Sequence, residues 1–378
     1  MYIISVQKDA PAAACPDGRV GVAAALGGWL MTRDRIVTRK ELPEDRVETA
    51  SAGASPLRPQ RLTEYIGQPE LVEKLKIGIA AACTRSEAME HVLLHGPPGL
   101  GKTTLAYIIA NELQTSAPRI TSGPALTRPT DLVSLLTNVQ PRDVVFIDEI
   151  HRMPTAVEEY LYSAMEDFVV DVVTGTGTHA DSIRIKINPF TLIGATTRSG
   201  LLSGPMRARF GIVHHLNFYS EADLLTILKR SASLLAMAFE PGSLEMVARR
   251  SRGTPRVANR LLRRVRDFAL IRGTGTLTAE LAVGALDLEG IDDRGLDPLD
   301  RRFMMILARD YDGGPAGLDS LAANMGEESD VLEDVIEPFL LQSGFLRRTS
   351  KGRQLTAAGW AHLKLSPPAQ TVENELFE

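Results

Sequence analysis

Apolar residues along residues 57–220 alternate between short continuous runs and helical spacing. The short runs His91–Leu94, Val144–Ile147 and Phe190–Ala195 have the length of buried strands. Between them, as in Thr155–Phe168, apolar residues recur every three to four positions, which is the spacing of an amphipathic helix. Strands that alternate with helices predict an α/β fold with a mostly parallel sheet.

Residues 221–296 lose the strand-like runs and show helical spacing instead. This change predicts a separate, small helical domain after the sheet domain. The stretch Asp292–Asp300 is charged, contains glycine and proline, and is typical of a linker. The predicted helices are Ala222–Leu235, Gly242–Ser251, Pro255–Ile271 and Thr278–Leu286.

Residues 297–365 combine helices with two short strands near the end. Helical spacing begins at residue 301 and continues through Leu318–Met325 and Val331–Ser343. The segments Leu346–Thr349 and Arg353–Thr356 then flank a Ser-Lys-Gly turn. Helices followed by a basic hairpin predict a winged-helix module.

Residues 1–56 and 366–378 show no sustained pattern and are predicted to be a flexible N-terminal extension and a C-terminal tail. Three interpretations of residues 1–30 stand: a disordered tail, a weak export signal, or upstream sequence that is not normally translated. Acidic residues precede the apolar stretch and no small-residue cleavage site follows it, which disfavours the export signal. Met31 is the native start under the third interpretation.

Length and charge set the broad class of the protein. A chain of 378 residues is expected to form two or three domains, and its 44% hydrophobic content supports sizeable cores. A net charge of −5 excludes a basic surface all round but allows a local one. Cys15 and Cys83 fit no metal-binding spacing, and no run is long enough to cross a bilayer. We therefore expect a cytoplasmic protein without disulfides or a membrane partner.

The most specific motif is Gly96-x-x-x-x-Gly101-Lys102-Thr103, which follows an apolar run and precedes a helical pattern. Glycines let the backbone bend so that its N–H groups surround phosphates, and the helix N-terminus adds positive potential. Lys102 can reach the β- and γ-phosphates, and Thr103 can hold Mg²⁺. The motif in this context predicts binding of a nucleoside triphosphate.

Two further strand ends carry polar side chains. Asp148 and Glu149 end one apolar strand, where Asp148 is placed to bind Mg²⁺ through water and Glu149 to polarise an attacking water. Thr196, Thr197 and Arg198 end another strand, where a polar side chain could touch the γ-phosphate or the water, although a threonine with ordinary β propensity explains the pattern equally well. His151 is interpreted as structural or partner-facing.

Three groups of arginines stand out. Arg207 and Arg209 lie in a Gly/Pro-flanked turn, where an arginine could neutralise charge on a transferring phosphoryl group. Arg256 opens a helix after the nucleotide core and is expected to touch phosphate. The turn that includes Arg348 and Arg353 is basic, which fits phosphate contacts in a DNA groove or simply a solvated hairpin.

In this order, these elements resemble AAA+ ATPases, and most closely the RuvB family, which drives branch migration of Holliday junctions in bacteria. The resemblance runs from Leu57 to Leu363. The segments that carry it are LRPQRLTEYIGQ (57–68), HGPPGLGKTTLA (95–106), TSGPAL (121–126), FIDEIHR (146–152), GATTRSG (194–200), RFGIV (209–213), RGTPRVANRLLRRVRDFA (252–269), GGPAGLDSLA (313–322) and GFLRRTSKGR (344–353).

The resemblance implies an α/β AAA+ P-loop core over residues 57–220, a small helical lid over 221–296 and a C-terminal winged helix over 297–365. It implies ATP and Mg²⁺ as cofactors and a homohexameric ring around duplex DNA. It further implies RuvA as the partner that loads and holds the ring, and RuvC as the associated resolvase. The implied activity is an ATP-driven DNA translocase in recombination and repair.

The resemblance also assigns residues. Arg209 would be the arginine finger that acts on the ATP of a neighbouring subunit, and Thr197 would sense the γ-phosphate. Arg348 and Arg353 would contact DNA. The implied nucleotide-binding residues are Leu57, Arg58, Gly99, Gly101, Lys102, Thr103, Thr104, Glu166, Asp167, Phe168, Arg209, Tyr219 and Arg256.

Two positions depart from the family's pattern. The hairpin that docks on RuvA usually offers apolar side chains, which Val172 keeps, whereas Thr174 stands at a position that is usually apolar. Ser329 stands where relatives often carry a basic residue before the recognition-type helix. The sequence therefore leaves undecided whether the RuvA contact through Thr174 and one DNA contact at Ser329 are kept.

Two rival functions share the core motifs. A clamp-loader-like or protein-remodelling AAA+ ATPase would use the same chemistry but is disfavoured by the basic winged-helix ending. A nucleotide-dependent DNA-binding switch with negligible turnover is disfavoured because Glu149, Thr197 and Arg209 are all present.

Overall fold

The computed structural model describes residues 57–174 and 181–368. The N-terminal extension with Met31, residues 175–180 and residues 369–378 of the predicted tail lie outside the described residues. Within the described ranges, no helix is long and apolar enough to cross a membrane.

The first domain is built on a parallel sheet. Its strands and those of a neighbouring hairpin are β1 (Val92–His95), β2 (Arg119–Ser122), β3 (Val144–Asp148), β4 (Val169–Thr174), β5 (Asp181–Lys186), β6 (Thr191–Thr196) and β7 (Ile212–His215). Five of these strands pair in parallel in the order β2-β3-β6-β1-β7, and β4 pairs with β5 in an antiparallel hairpin. The predicted α/β class with a mostly parallel sheet is confirmed.

The observed strands extend one residue beyond the predicted apolar runs at their carboxyl ends. His95 pairs with Thr196, and Asp148 pairs with Ser122, so polar residues complete the ladders. Backbone hydrogen bonds define a strand, whereas apolarity marks only its buried part. The polar ends of β1, β3 and β6 therefore lie at one edge of the sheet, because the three strands are parallel.

Helices cover both faces of the sheet. They are α1 (Pro69–Arg85), α2 (Lys102–Glu112), α3 (Pro129–Thr137), α4 (Thr155–Glu166) and α5 (Gly204–Ala208). Alternate strand residues point to opposite faces. Leu94 and Ile193 join the core that includes Leu105 of α2, and Leu93 and Leu192 join a second core on the other face. The sheet is thus packed between two apolar layers, and the polar ends of its strands lie at the edge that these layers leave uncovered.

The second domain is a helical lid that packs against the first. Its helices are α6 (Glu221–Leu234), α7 (Ser243–Arg249), α8 (Pro255–Arg272) and α9 (Ala279–Leu288). Its buried residues Leu224, Leu261 and Leu286 belong to the same apolar core as Leu94 and Leu105. The contact between lid and sheet domain is therefore a continuous apolar one.

Two short strands in the lid were not predicted. Ala238–Phe239 (β8) and Thr276–Leu277 (β9) pair in parallel across the lid. Helices dominate the lid, as predicted, and these two strands were not part of that prediction. Two residues are too few to show a strand-like alternation, so the sequence gives no signal for them.

The third domain is a winged helix with its own core around Phe303, Leu321 and Trp360. A residue outside the hairpin strands, Ala316, pairs with Arg353 and adds a third strand segment to the wing. The elements are α10 (Pro298–Asp310), α11 (Leu318–Met325), α12 (Ser329–Val331), α13 (Glu337–Gln342), β10 (Leu346–Thr349), β11 (Gly352–Leu355) and α14 (Ala357–His362).

The predicted single helix Val331–Ser343 is interrupted. A wide π-type turn, Leu332–Ile336, separates α12 from α13. Pro338 follows at the start of α13 and has no N–H to donate back to the preceding turn, so the backbone widens there. The second predicted strand ends at Leu355, because the Thr356 hydroxyl caps α14 by accepting from the Gly359 N–H at 3.1 Å.

Candidate nucleotide site at the sheet edge

The P-loop joins β1 to α2 and follows a path that only glycine allows at two points. Gly96 has φ +141°, and a Cβ there would lie 2.7 Å from the Leu216 carbonyl oxygen. Gly99 has φ +82°, and a Cβ there would lie 3.1 Å from the Arg256 Cβ. The loop therefore packs between Leu216, which directly follows β7, and the first turn of α8. Any larger side chain at Gly96 or Gly99 would push the loop away from these neighbours.

Lys102, the first residue of α2, points back into the loop. Its ammonium donates to the carbonyl oxygens of Gly96 at 2.7 Å and Pro97 at 2.9 Å. Burial lowers the pKa of Lys102 to about 8, Asp148 raises it in part, and nearby Arg256 lowers it further. The loop thus holds a desolvated cation that an anionic phosphate would stabilise.

Asp148 and Glu149 occupy the end of β3. Burial raises the pKa of Asp148, and the Lys102 ammonium opposes that rise. An Asp148 oxygen accepts from the Glu149 N–H at 3.0 Å, and Glu149 itself has a left-handed φ of 46°. A left-handed non-glycine residue is uncommon, and such backbone strain tends to occur at functional positions. The Glu149 carboxylate pairs with Arg152 at 3.3 Å.

Thr196, the last residue of β6, and Thr197, which follows it, lie in different environments. Thr196 is fully buried, and its hydroxyl lies 2.8 Å from His151 Nδ1 and accepts from the Arg198 N–H at 3.0 Å. Thr197 instead lines a cleft beside the P-loop residues Pro97 and Pro98. His151 thus contacts the Thr196 hydroxyl, and Thr197 lines the cleft beside the P-loop.

Tyr219 and Arg256 lie against the P-loop from the lid side. The Tyr219 hydroxyl is buried, 2.9 Å from the Tyr65 hydroxyl and 3.3 Å from the Leu100 carbonyl oxygen. Burial raises the pKa of Tyr65 to about 12. The Arg256 N–H donates to the Gly99 carbonyl oxygen at 3.4 Å. Sequence reasoning missed Tyr65, because a tyrosine in an irregular segment carries no motif of its own.

The remaining residues predicted for this site lie around α2. Thr103 and Thr104 are half-buried in its first turn, directly after Lys102. Leu57 is buried, and its carbonyl oxygen accepts from Arg230 of the lid at 3.0 Å. The Arg58 guanidinium lies 4.7 Å from the centre of the Tyr107 ring on α2.

Arg209 and Glu166 form a separate cluster. The Arg209 guanidinium pairs with Glu166 at 3.2 Å, donates to the Pro205 carbonyl oxygen at 2.8 Å, and lies 4.3 Å from the centre of the Tyr162 ring. Asp167 and Phe168 follow Glu166 at the end of α4. Within the described residues, this cluster makes no hydrogen bond or ion pair with the P-loop.

The wing arginines form internal ion pairs. Arg348 pairs with Glu337 at 2.9 Å and with Glu333 at 3.3 Å, and Arg353 pairs with Glu337 at 3.0 Å. The Glu337 side chain is 1% exposed, yet the two guanidiniums hold its pKa below the usual range. The Arg353 side chain is 14% exposed and that of Arg348 50%, so Arg353 is enclosed by the domain whereas Arg348 is open to solvent.

The β4–β5 hairpin is separate from the five-stranded sheet. Val172 is half-buried and pairs with Ile183, which is exposed. A cross-strand ion pair joins Asp171 to Arg184 at 2.9 Å. The Thr174 backbone ends β4, and its side chain lies outside the described residues.

Taken together, a P-loop at the edge of a parallel sheet, a following acidic strand end, a helical lid and a winged helix define an ATPase of the AAA+ class. Models of the RuvB family match most of the chain, and the chain belongs to that family. They are the Holliday junction DNA helicase RuvB P-loop domain at 57–216, the RuvB AAA lid domain at 219–292 and the RuvB C-terminal winged helix domain at 293–364.

Relatives support the same assignment. The chain is 55% identical over 312 residues to the Holliday junction branch migration complex subunit RuvB of Latilactobacillus sakei, covering 82% of this chain and 93% of the relative. It is similar to the solved Thermotoga maritima RuvB Holliday junction branch migration motor, with 49% identity, a TM-score of 0.77, and coverage of 83% of this chain and 100% of the other. A mutant of that protein gives 49% identity, a TM-score of 0.78 and the same coverage.

The pKa of Lys102 leads to a pH prediction. The lysine must be charged to hold a phosphate, so above its pKa of about 8 nucleotide binding requires uptake of a proton. We expect the Kd for ADP to be level near pH 7 and to rise towards about ten-fold per pH unit above pH 8. Fluorescence titration across this range measures it.

The matched control is Lys102→Arg, because arginine stays charged throughout this pH range. Its Kd should be weaker or similar near neutral pH but level above pH 8. The same slope in both proteins would show that another group titrates.

Proposed function

We propose that this chain is an ATP-hydrolysing motor that drives branch migration of Holliday junctions. The observation that carries the proposal is the position of the nucleotide site relative to the winged helix. A cleft of about 570 Å³ is lined on one side by Pro97 and Thr197 and on the other by Glu333 and Arg348. A nucleotide-binding loop and a DNA-binding type of domain therefore face each other in one chain.

The groups at the sheet edge support hydrolysis as well as binding. Lys102 and the P-loop N–H groups would bind the β- and γ-phosphates, and Thr197 would contact the γ-phosphate. Glu149 would orient the attacking water. Glu149 directly follows β3, and its carboxylate is half-exposed and paired with Arg152, so it is accessible to a water molecule at the sheet edge.

Mg²⁺ fits the residues present. Within the described ranges, no cluster of three or more His, Cys, Asp or Glu side chains could hold a metal by itself. Mg²⁺ commonly takes one or two protein ligands and completes its shell with water and phosphate oxygens, for which Thr103 and Asp148 are available. Bound there, it would neutralise charge on the phosphates.

Other contacts would select and enclose the nucleotide. Arg58 lies against Tyr107 of α2 and Leu57 contacts Arg230 of the lid, and these two residues would contact the base. Thr104 extends the phosphate-binding turn together with Gly99 and Gly101. Arg256 would reach the phosphates from the lid, since its backbone already touches Gly99. Tyr219 would act from beneath the loop, because its hydroxyl is buried against Leu100 and Tyr65.

Arg209 is proposed to serve a neighbouring copy of the chain. Its cluster with Glu166, Asp167 and Phe168 makes no hydrogen bond or ion pair with its own P-loop within the described residues, and these groups would complete the site of the next subunit. A head-to-tail interface closes into a ring when its rotation is a whole fraction of a turn, and a homohexamer is the proposed assembly. In such a ring each nucleotide site lies between two subunits.

The proposed partners are duplex DNA at the four-way junction, RuvA and RuvC. The names of the relatives support DNA and RuvA, since those proteins are subunits of a branch migration complex. The β4–β5 hairpin with Val172 and Thr174 is the proposed RuvA contact. The winged helix, through Arg348 and Arg353, is the proposed DNA contact.

A junction assay tests the proposed function. A synthetic four-way junction with one labelled strand is incubated with the chain, cognate RuvA and ATP, and duplex products are resolved by electrophoresis. We expect dissociation of the junction with ATP and none with Lys102→Ala. ATP hydrolysis without junction dissociation would favour a remodelling ATPase, and absence of both would favour a nucleotide-dependent switch.

The wing assignment predicts a change in salt dependence. Removal of both arginines alone would leave the buried Glu337 carboxylate unpaired and destabilise the domain. The test variant is therefore Arg348→Ala, Arg353→Ala with Glu337→Gln. We expect weaker duplex binding and a slope of log K against log salt that is smaller by about two, one for each lost phosphate contact.

Two controls accompany this variant. Glu337→Gln alone keeps both arginines and should bind duplex at least as well as the wild type. Arg347→Ala removes a charge from the opposite face of the same strand and should leave the slope nearly unchanged. Equal affinities and slopes in all four proteins would refute the wing assignment.

A further inference from the structure

Arg198, which follows Thr197, reaches across the cleft to the winged helix. Its guanidinium lies 3.0 Å from Asp334, 3.1 Å from Asp330 and 3.2 Å from Glu333. The side chain is only 25% exposed. Three carboxylates around one largely buried guanidinium make a charge cluster between domains, which differs from an isolated surface pair of small energetic value.

Four acidic residues, Asp330, Glu333, Asp334 and Glu337, lie on the side of this segment that contacts the arginines. Arg198 pairs with the first three, and Arg348 pairs with Glu333 and Glu337. Like charges gathered in this way repel one another. The stripe is stabilised by arginines from two directions, with Arg198 on the ATPase side and the wing arginines on the other.

Glu333 joins the two sets of arginines. Its carboxylate lies 3.2 Å from Arg198 and 3.3 Å from Arg348. A phosphate bound by Arg348 would take over part of the charge that Glu333 and Glu337 now balance. The Glu333 carboxylate would then interact more strongly with its remaining partner, Arg198.

The other end of Arg198 lies at the nucleotide site. Its backbone N–H donates to the buried Thr196 hydroxyl at 3.0 Å, and Thr196 is held by His151 at 2.8 Å. Thr197 lies between these anchored residues and faces the P-loop. A force on the Arg198 side chain therefore acts on Thr197, its neighbour in the chain, which lines the cleft directly after β6.

We propose that Arg198 is a positioning residue that couples DNA contact at the wing to ATP turnover, through its ion pairs with the acidic face of residues 330–337. The inference rests on the proposed function, since it requires that DNA alters ATP hydrolysis. In this proposal, a phosphate bound by Arg348 weakens the Glu333–Arg348 ion pair and strengthens the Glu333–Arg198 ion pair. Arg198 in turn orients Thr197.

The test is a double-mutant cycle of Arg198→Gln and Asp334→Asn. Asp334 is chosen because its ion pair is with Arg198 rather than with a wing arginine. The measurement is steady-state phosphate release with and without duplex DNA, together with duplex Kd. In Asp334→Asn, assayed at pH 7 with saturating ATP, we expect turnover without DNA and duplex Kd to stay near the wild-type values, and the stimulation by DNA to fall by about five-fold or more.

The double variant should lose no more stimulation than Arg198→Gln alone, because both changes remove the same pair. Glu328→Gln is the matched control: it removes one nearby charge, and Glu328 makes no ion pair with any other described residue. Glu328→Gln should keep wild-type stimulation.

The outcomes separate the inference from the proposed function. A wild type that hydrolyses ATP without any response to DNA would contradict the proposed function. A wild type that responds, with Asp334→Asn and Arg198→Gln responding equally well, would overturn the coupling role of Arg198. Equal losses in Glu328→Gln and Asp334→Asn would show a general charge effect and would overturn it as well.

Discussion

The backbone hydrogen bonds that pair β6 with β1 on one side and β3 on the other hold the nucleotide site together. Because all three strands run in the same direction, the P-loop, Asp148 and Thr197 reach one edge of the sheet. The two apolar cores that pack on the faces of the sheet hold this edge in place. A shift of one residue in either pairing would turn the side chains to the opposite face.

Charges at this edge are buried and therefore depend on one another. The ammonium of Lys102 and the carboxylate of Asp148 each stabilise the charged form of the other, against desolvation that acts on both. The same principle recurs in the winged helix, where buried Glu337 is balanced by two arginines. Between these sites, Arg198 and Glu333 continue the ion pairs across the cleft. A phosphate bound at Arg348 would change the strength of the ion pairs of Glu333 and then of Arg198, which is the physical basis of the proposed coupling.

The sequence predicted those features that local chemistry specifies. Apolar runs and helical spacing gave the parallel sheet, and the phosphate-binding motif located Lys102. The wide turn before Pro338 and the strands β8 and β9 were not predicted, because they depend on pairing and on a missing N–H rather than on periodicity. The position of Tyr65 under the P-loop and the enclosure of Arg198 by three carboxylates depend on contacts between residues distant in sequence. The roles of Arg209, Arg348 and Arg353 came from resemblance and stay predictions.

The central claim is that each nucleotide site is shared, with Glu149 from one subunit and Arg209 from the next. Mixing two inactive variants tests it most directly. Glu149→Gln lacks the residue that orients water but keeps its finger, and Arg209→Ala lacks the finger but keeps Glu149. Each variant alone should hydrolyse ATP very slowly. In a mixture of equal parts, roughly a quarter of the interfaces would combine both intact residues, so ATP turnover should reappear. A mixture as inactive as its components, with mixed assembly verified by native mass spectrometry, would contradict the shared site.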